Sequence, residues 1–152
     1  MRAATLSTIA ALLLSSCGAE PEEGTPRDIQ GSWVLEEVVV SGEPYAVPVS
    51  SSRWEPDISG PAVFRFEADG WLTGALPCNK VQGHYSFTGG ALTFDVMREA
   101  VLCREPEGIM NAEEVIVRVL EGDAVSVGFD GPDLMRWTAA DIVLTLARIP
   151  TD

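Results

Sequence analysis

Hydrophobic positions fall along this chain in three regimes. The first residues carry one basic side chain, Arg2, and then run apolar through Leu6, Ile9 and the alanines to Leu14. Residues 18–28 have no large apolar side chain at all. From Ile29 onward, short β-branched and aromatic runs alternate with Gly, Pro, Asp and Ser clusters, the pattern of strands joined by tight turns.

Within that third regime the pattern predicts a strand over residues 31–40, Gly-Ser-Trp-Val-Leu-Glu-Glu-Val-Val-Val, with Trp33 and Leu35 facing inward. Residues 41–61 are rich in Ser, Pro and Gly and read as an excursion or loop. Residues 62–66 alternate, and Ala68-Asp69-Gly70 turns the chain into Trp71-Leu72-Thr73-Gly74. Asp-Gly supplies the positive φ that such a turn needs. Residues 83–87 and 91–94 flank Thr88-Gly89-Gly90 as a second hairpin. Residues 124–129 and 142–148 complete the strands, with Asp130-Gly131-Pro132-Asp133 between them and a further strand over 134–138.

One helix is predicted. Ala112, Val115, Ile116, Val119 and Leu120 recur at helical spacing. Asn111 is placed to cap it, Glu114 completes a capping-box-like pair, and Gly122-Asp123 ends it. No repeat of solenoid length is present.

The first two regimes have a chemical reading. Leu14-Ser15-Ser16-Cys17 resembles the lipobox of bacterial lipoproteins. There a transferase alkylates the Cys thiol with diacylglycerol, and small residues admit the peptidase to the bond before it. The apolar run is too short to span a bilayer, which takes ~20 residues. The alternative is an ordinary secretory leader, cleaved elsewhere, with a free thiol at Cys17. The chain then divides into a signal peptide (1–16), a lipid-anchored flexible tether (17–28) and one domain (29–150). Gly18 after the anchor, where an Asp tends to mean inner-membrane retention, favours the outer membrane facing the periplasm. Each buried methylene of an acyl chain contributes ~0.8 kcal/mol, so two or more chains make a durable membrane anchor.

Composition narrows the partners. The chain has 152 residues, 46% hydrophobic, enough for one folded domain with a real core. Its formal net charge is −13, and loss of Arg2 with the leader would make it more acidic. Such a surface repels phosphate backbones, which argues against nucleic acid, and anionic lipid is disfavoured except through the anchor.

The order of features is similar to that of a known family. Gly31-Ser32-Trp33-Val34-Leu35 comes first, then Phe64-Arg65-Phe66 and Gly70, Cys78-Asn79, Gly83-His84-Tyr85, a second Cys at 103, a helix ending Val119-Leu120, and Val143-Leu144-Thr145-Leu146. This resembles the META domain family of HslJ-type heat-inducible lipoproteins, over roughly residues 29–149. Two stretches depart from the family pattern: Pro77 stands where Gly usually precedes Cys-Asn, and Arg98-Glu99-Ala100-Val101-Leu102 replaces Thr and small residues before Cys103. The resemblance implies an α+β, mostly β fold: a compact antiparallel sheet, barrel-like, with one packed helix. It marks Trp33, Asn79, Gly83 and Tyr85 as structural motif residues and carries no catalytic activity.

With Cys17 lipidated, Cys78 and Cys103 remain as an even pair, which in an oxidising compartment reads as a disulfide. A redox or zinc role lacks Cys-x-x-Cys or any zinc spacing. His84, the only histidine, has no nucleophile motif to serve and reads as an exposed strand residue. Asn79 is expected to hydrogen-bond nearby backbone in a turn. Asp57, Asp69, Asp123, Asp130 and Asp133 lie beside Gly or Pro, where turn duty is the default; the loop at 130–133 lacks the alternating ligands of an EF-hand. No pair of acids is singled out for glycoside hydrolysis. Trp33 and Trp71 fit the core, Trp137 is a fourth tryptophan of this small domain, and Trp54, beside Arg53 and Glu55, is the one suited to binding.

These readings converge on a non-enzymatic, lipid-anchored envelope protein without cofactor or metal, binding an envelope protein or supporting envelope stress tolerance. The alternatives are a lipocalin-like binder of a small apolar ligand inside the barrel, or a hydrolase inhibitor using residues 41–61 as a wedge.

Overall fold

A computed structural model describes residues 28–48 and 61–150. The leader, Cys17, the tether up to residue 27, Trp54 and Asp57 lie outside the described residues.

The chain runs β1 (Gly31–Val40), β2 (Glu43–Pro44), β3 (Val63–Phe66), β4 (Trp71–Ala75), β5 (Lys80–Thr88), β6 (Ala91–Arg98), α1 (Ile109–Leu120), β7 (Val125–Phe129), β8 (Leu134–Ala139) and β9 (Ile142–Arg148). All pairings are antiparallel, and β1 pairs with both β3 and β9, so eight strands close into a barrel in the order β1-β3-β4-β5-β6-β7-β8-β9. Closure removes most sheet edges, the usual hazard of an all-antiparallel domain. The two-residue β2, inside the expected loop, pairs with the far half of β1 where β3 has left it.

Alternation decides what enters the barrel. Trp33, Leu35 and Val38 of β1, Phe64 and Phe66 of β3, Met135 and Trp137 of β8, and Leu144 and Leu146 of β9 are all buried. Strict alternation from Leu35 would point Glu37 inward. A bulge between Leu35 and Glu37 absorbs one residue instead, and both Glu36 and Glu37 stay in solvent while Val38 returns to the core. The rings fill the section of barrel they occupy: Trp137 lies 5.1 Å from Phe64, 5.8 Å from Phe66 and 5.5 Å from Phe94 between ring centroids. Its indole Nε1 is the one buried side-chain polar atom without a partner among the described residues.

The turns form where Asp-Gly and Gly-Gly place them. Gly70, at the β3–β4 turn, has φ 86°, and the Asp69 carboxylate accepts the Trp71 N–H at 3.1 Å. The domain's two ends are drawn together by Arg148. Its guanidinium donates to the carbonyls of Gln30 (2.7 Å), Asp28 (2.5 Å) and Pro132 (2.9 Å) and lies 4.1 Å over the Trp33 ring, a planar fork used on all sides.

The structure corrects two expectations. The helix begins at Ile109, not after Asn111, and Gly108 in the left-handed region stands at its N-cap with no side-chain cap bond. The buried Ile109 and the turn bond from its N–H to the Pro106 carbonyl (3.2 Å) start it one turn earlier, so Asn111 is exposed inside the first turn and Glu114 bonds Arg98 instead. Trp71 is not in the core. It shares the outer face with exposed His84, their rings edge to face at 4.8 Å, because its neighbour Leu72 takes the inward position.

Candidate functional site

Among the described residues, the most concentrated polar chemistry is buried where the β4–β5 turn meets α1. The turn Leu76-Pro77-Cys78-Asn79 closes through the Leu76 N–H to the Asn79 carbonyl at 2.7 Å. Cys78 and Asn79 are almost wholly inaccessible, and Glu113, from the first half of α1, is 0% exposed.

A carboxylate so placed must be met by donors, because an unpaired buried charge is too costly to survive. Three donors converge on it. The backbone N–H groups of Cys78 and Asn79 both donate to Glu113 Oε2 at 2.8 Å, and the Asn79 side-chain amide donates to Oε1 at 2.5 Å. Two successive backbone N–H groups aimed at one anion form a small nest, here filled by a side chain of the same molecule.

Asn79 works on its other side as well. Its Oδ1 accepts the Val101 N–H at 2.8 Å and its Nδ2 donates to the Val101 carbonyl at 3.1 Å. The carboxamide thus pairs with a peptide group as a neighbouring strand would. Its partners lie 22 and 34 residues away, so the local-turn role expected for Asn79 is replaced by a long-range one.

The Cys78–Cys103 disulfide joins two of these three segments, the β4–β5 turn and the stretch that holds Val101. By chain entropy, a loop of this length stabilises by about 3 kcal/mol. Reduction should therefore lower the denaturation midpoint by that equivalent without abolishing the fold, since Asn79 and Glu113 still tie the segments. Equilibrium urea unfolding with and without dithiothreitol checks it, and an unchanged midpoint would refute the assignment.

The remaining motif residues are framework. Gly83 lies where β5 meets β6, and a Cβ there would stand 2.2 Å from the Asp95 carbonyl oxygen. Trp33 donates its Nε1–H to the Ile29 carbonyl at 2.8 Å. Tyr85 donates its hydroxyl to the Glu67 carbonyl at 2.6 Å and packs edge-on against Phe66.

Burial, followed by the charges of Asp69 and Glu67, raises the Tyr85 pKa above its ordinary value. The unfolded state then releases this proton first. The contribution of Tyr85 is complete below about pH 10 and is lost as pH rises through the folded value. Tyr85→Phe should flatten the alkaline limb of the stability profile and lower neutral stability by about 1 kcal/mol. Denaturation midpoints from pH 8 to 11 test both statements.

His84 is far from this chemistry in role: it stands across the sheet from Asp95 on the outer face. Asp130 and Asp133 serve the β7–β8 turn through their backbones, with Asp130 N–H to the Leu134 carbonyl and Arg148 N–H to the Asp133 carbonyl. Asp123 is exposed just after the helix. Among the described residues, no three His, Cys, Asp or Glu side chains gather as a metal site would need. An open groove of about 400 Å³ runs beside the β1 bulge, lined by Leu35, Val38, Pro44, Tyr45, Val47 and Pro61 among others.

Sequence reasoning missed Glu113 and Arg148. Glu113 does interrupt the apolar face, sitting between Ala112 and the buried pair Val115 and Ile116, but charged residues near a helix start are commonplace and no local signal marks this one as buried.

The family model described as META domain matches residues 27–150. The chain is similar to a protein from Burkholderia xenovorans solved by NMR, at 22% identity and a TM-score of 0.64, covering 93% of this chain and 100% of that one. It is also similar to a DUF4847 family protein from Bacteroides vulgatus solved by crystallography, at 14% identity and a TM-score of 0.53, covering 81% of this chain and 95% of that one. Both likenesses concern the fold. Among curated proteins no match was found.

Proposed function

The chain belongs to the META domain family, and from that premise we propose that it is a non-enzymatic envelope protein, lipid-anchored through Cys17, that binds another protein or supports envelope stress tolerance. The observation that carries this reading is the Cys78–Cys103 bridge. Structural disulfides belong to oxidising compartments, which agrees with an exported chain whose leader ends in Leu14-Ser15-Ser16-Cys17.

The buried site supports a structural role over a catalytic one. Glu113 and Asn79 spend their hydrogen-bonding capacity on Cys78, Val101 and each other, leaving neither poised to move a proton on a substrate. The acidic body disfavours nucleic acid as the partner. Gly18 directs the anchor to the outer membrane, with the domain facing the periplasm.

The test is the intact mass of protein extracted from membranes, beside a Cys17→Ser variant. Expected is a mass for cleavage before Cys17 with added acyl chains and the disulfide closed, and release of the variant into the soluble fraction. An unacylated wild-type mass would make this a free secreted protein and overturn the anchor.

A further inference from the structure

The barrel closes unevenly. Only two residue pairs join β6 to β7, Ala91 with Ser126 and Leu92 with Val125, although β6 continues to Arg98 and pairs with β5 throughout. Beyond Leu92 the chain opposite β6 has already become the end of α1 and its link to β7.

The direction of the unpaired groups can be assigned. Val127 N–H bonds to the Gly90 carbonyl on the β7 side, and Glu99 N–H bonds to the Lys80 carbonyl on the β5 side. In an antiparallel ladder, alternate residues present their backbone groups to opposite neighbours. The N–H and C=O of Phe94, Val96 and Arg98 therefore point away from β5, and no hydrogen bond among the described residues uses them. The large hydrophobic side chains that stand most exposed among the described residues lie alongside: Met97 at 72%, Leu102 at 71% and Val101 at 58%.

We infer that the open edge of β6, residues 94–98, is a docking site for an extended, basic and apolar segment of a partner protein, which adds as a strand. Main-chain hydrogen bonds supply the affinity of such strand addition, and side chains at alternate positions supply its selectivity. The apolar residues of the segment meet Met97 and Leu102. Its basic residues meet exposed Asp95, while the Glu99 carboxylate already accepts the Lys80 N–H on the β5 side (3.3 Å) and Arg98 is shared between Glu114 (3.4 Å) and Glu121 (3.8 Å). A second copy is the poorer occupant, because pairing β6 with itself would bring those acids and two bodies of charge −13 face to face. The site gives a place to the protein binding proposed above and rests on that reading.

The probe is a short synthetic peptide of alternating lysine and valine, added to the full domain while amide deuterium exchange is followed residue by residue. In the free protein, Phe94, Val96 and Arg98 should exchange faster than Asp95 and Met97, whose N–H groups bond to β5. At peptide ten times its Kd, the first three should slow about tenfold, and a glutamate–valine peptide should have no effect. Val96→Pro removes an N–H that the barrel does not use, so it should keep the fold and lose the peptide. Equal protection of all five amides in the free protein would show the edge closed and overturn the proposal; so would peptide binding that Val96→Pro leaves intact. In cells, a photo-cross-linker on the outer face of β8 at Arg136 separates the two readings. A protein adduct there that is indifferent to Val96→Pro keeps protein binding and overturns the edge, and absence of any protein adduct at both Arg136 and Met97 overturns both.

Discussion

Glu113→Ala should destabilise the domain by about 4 kcal/mol, lowering its Tm by roughly 15 °C, a larger effect than loss of the disulfide. The variant removes the acceptor of the Cys78 and Asn79 backbone N–H groups and of the Asn79 amide. Each buried donor left unpaired costs roughly 1–3 kcal/mol, reduced where water enters the space left behind. Glu113→Gln separates charge from shape. Its amide oxygen can still accept both backbone donors, but its NH2 faces the Asn79 NH2, and the cost should be about 2 kcal/mol. Adding Asn79→Asp restores an acceptor opposite that NH2 but sets a carboxylate oxygen against the Val101 carbonyl, so the double variant should recover little of the loss. Urea denaturation of the single and double variants reads the coupling. A Glu113→Ala cost below about 1 kcal/mol would show that the carboxylate does not hold the junction.

Gly83→Ala is expected to cost about 3–4 kcal/mol, from collision with backbone. The new methyl would lie 2.2 Å from the Asp95 carbonyl oxygen and 2.6 Å from the Val96 Cα, neither of which can swing aside as a side-chain tip does. Relief requires β5 and β6 to part along the longest hairpin of the barrel. Gly89→Ala is the control. It has open space but φ 57°, so it should carry only the left-handed penalty of about 1 kcal/mol. Thermal unfolding of the two variants distinguishes close approach from backbone conformation; equal losses would mean that β5 and β6 yield freely.

Most of the strands were legible because each depends on its own few residues. Alternation at 62–66, Asp-Gly at 69–70 and Gly-Gly at 89–90 mark two hairpins that the structure places at the β3–β4 and β5–β6 turns. The bulge in β1 could be suspected from adjacent Glu36 and Glu37 only once a core face was known. Trp71 shows the limit of such reading. An aromatic residue suits either face of a strand, and which face is inner depends on register with β3 and β5, not on the tryptophan. The helix start shows the same limit, since Asn111 is a good cap by type and the buried Ile109 outweighed it.

The sequence by itself determined the strand-rich pattern, the two hairpin turns, one amphipathic helix, an acidic surface and a pair of cysteines. These follow from periodicity, turn chemistry and composition, all of which act over a few residues. Only the tertiary structure decided that β1 meets both β3 and β9, that Glu113 is the anion held by the Cys78–Asn79 turn, that Asn79 pairs with Val101, that Arg148 ties the first and last strands of the domain to the residues before β1, and that β6 outruns β7. Each of these joins segments distant in sequence, and a buried charge or an open edge is defined by its neighbours in space.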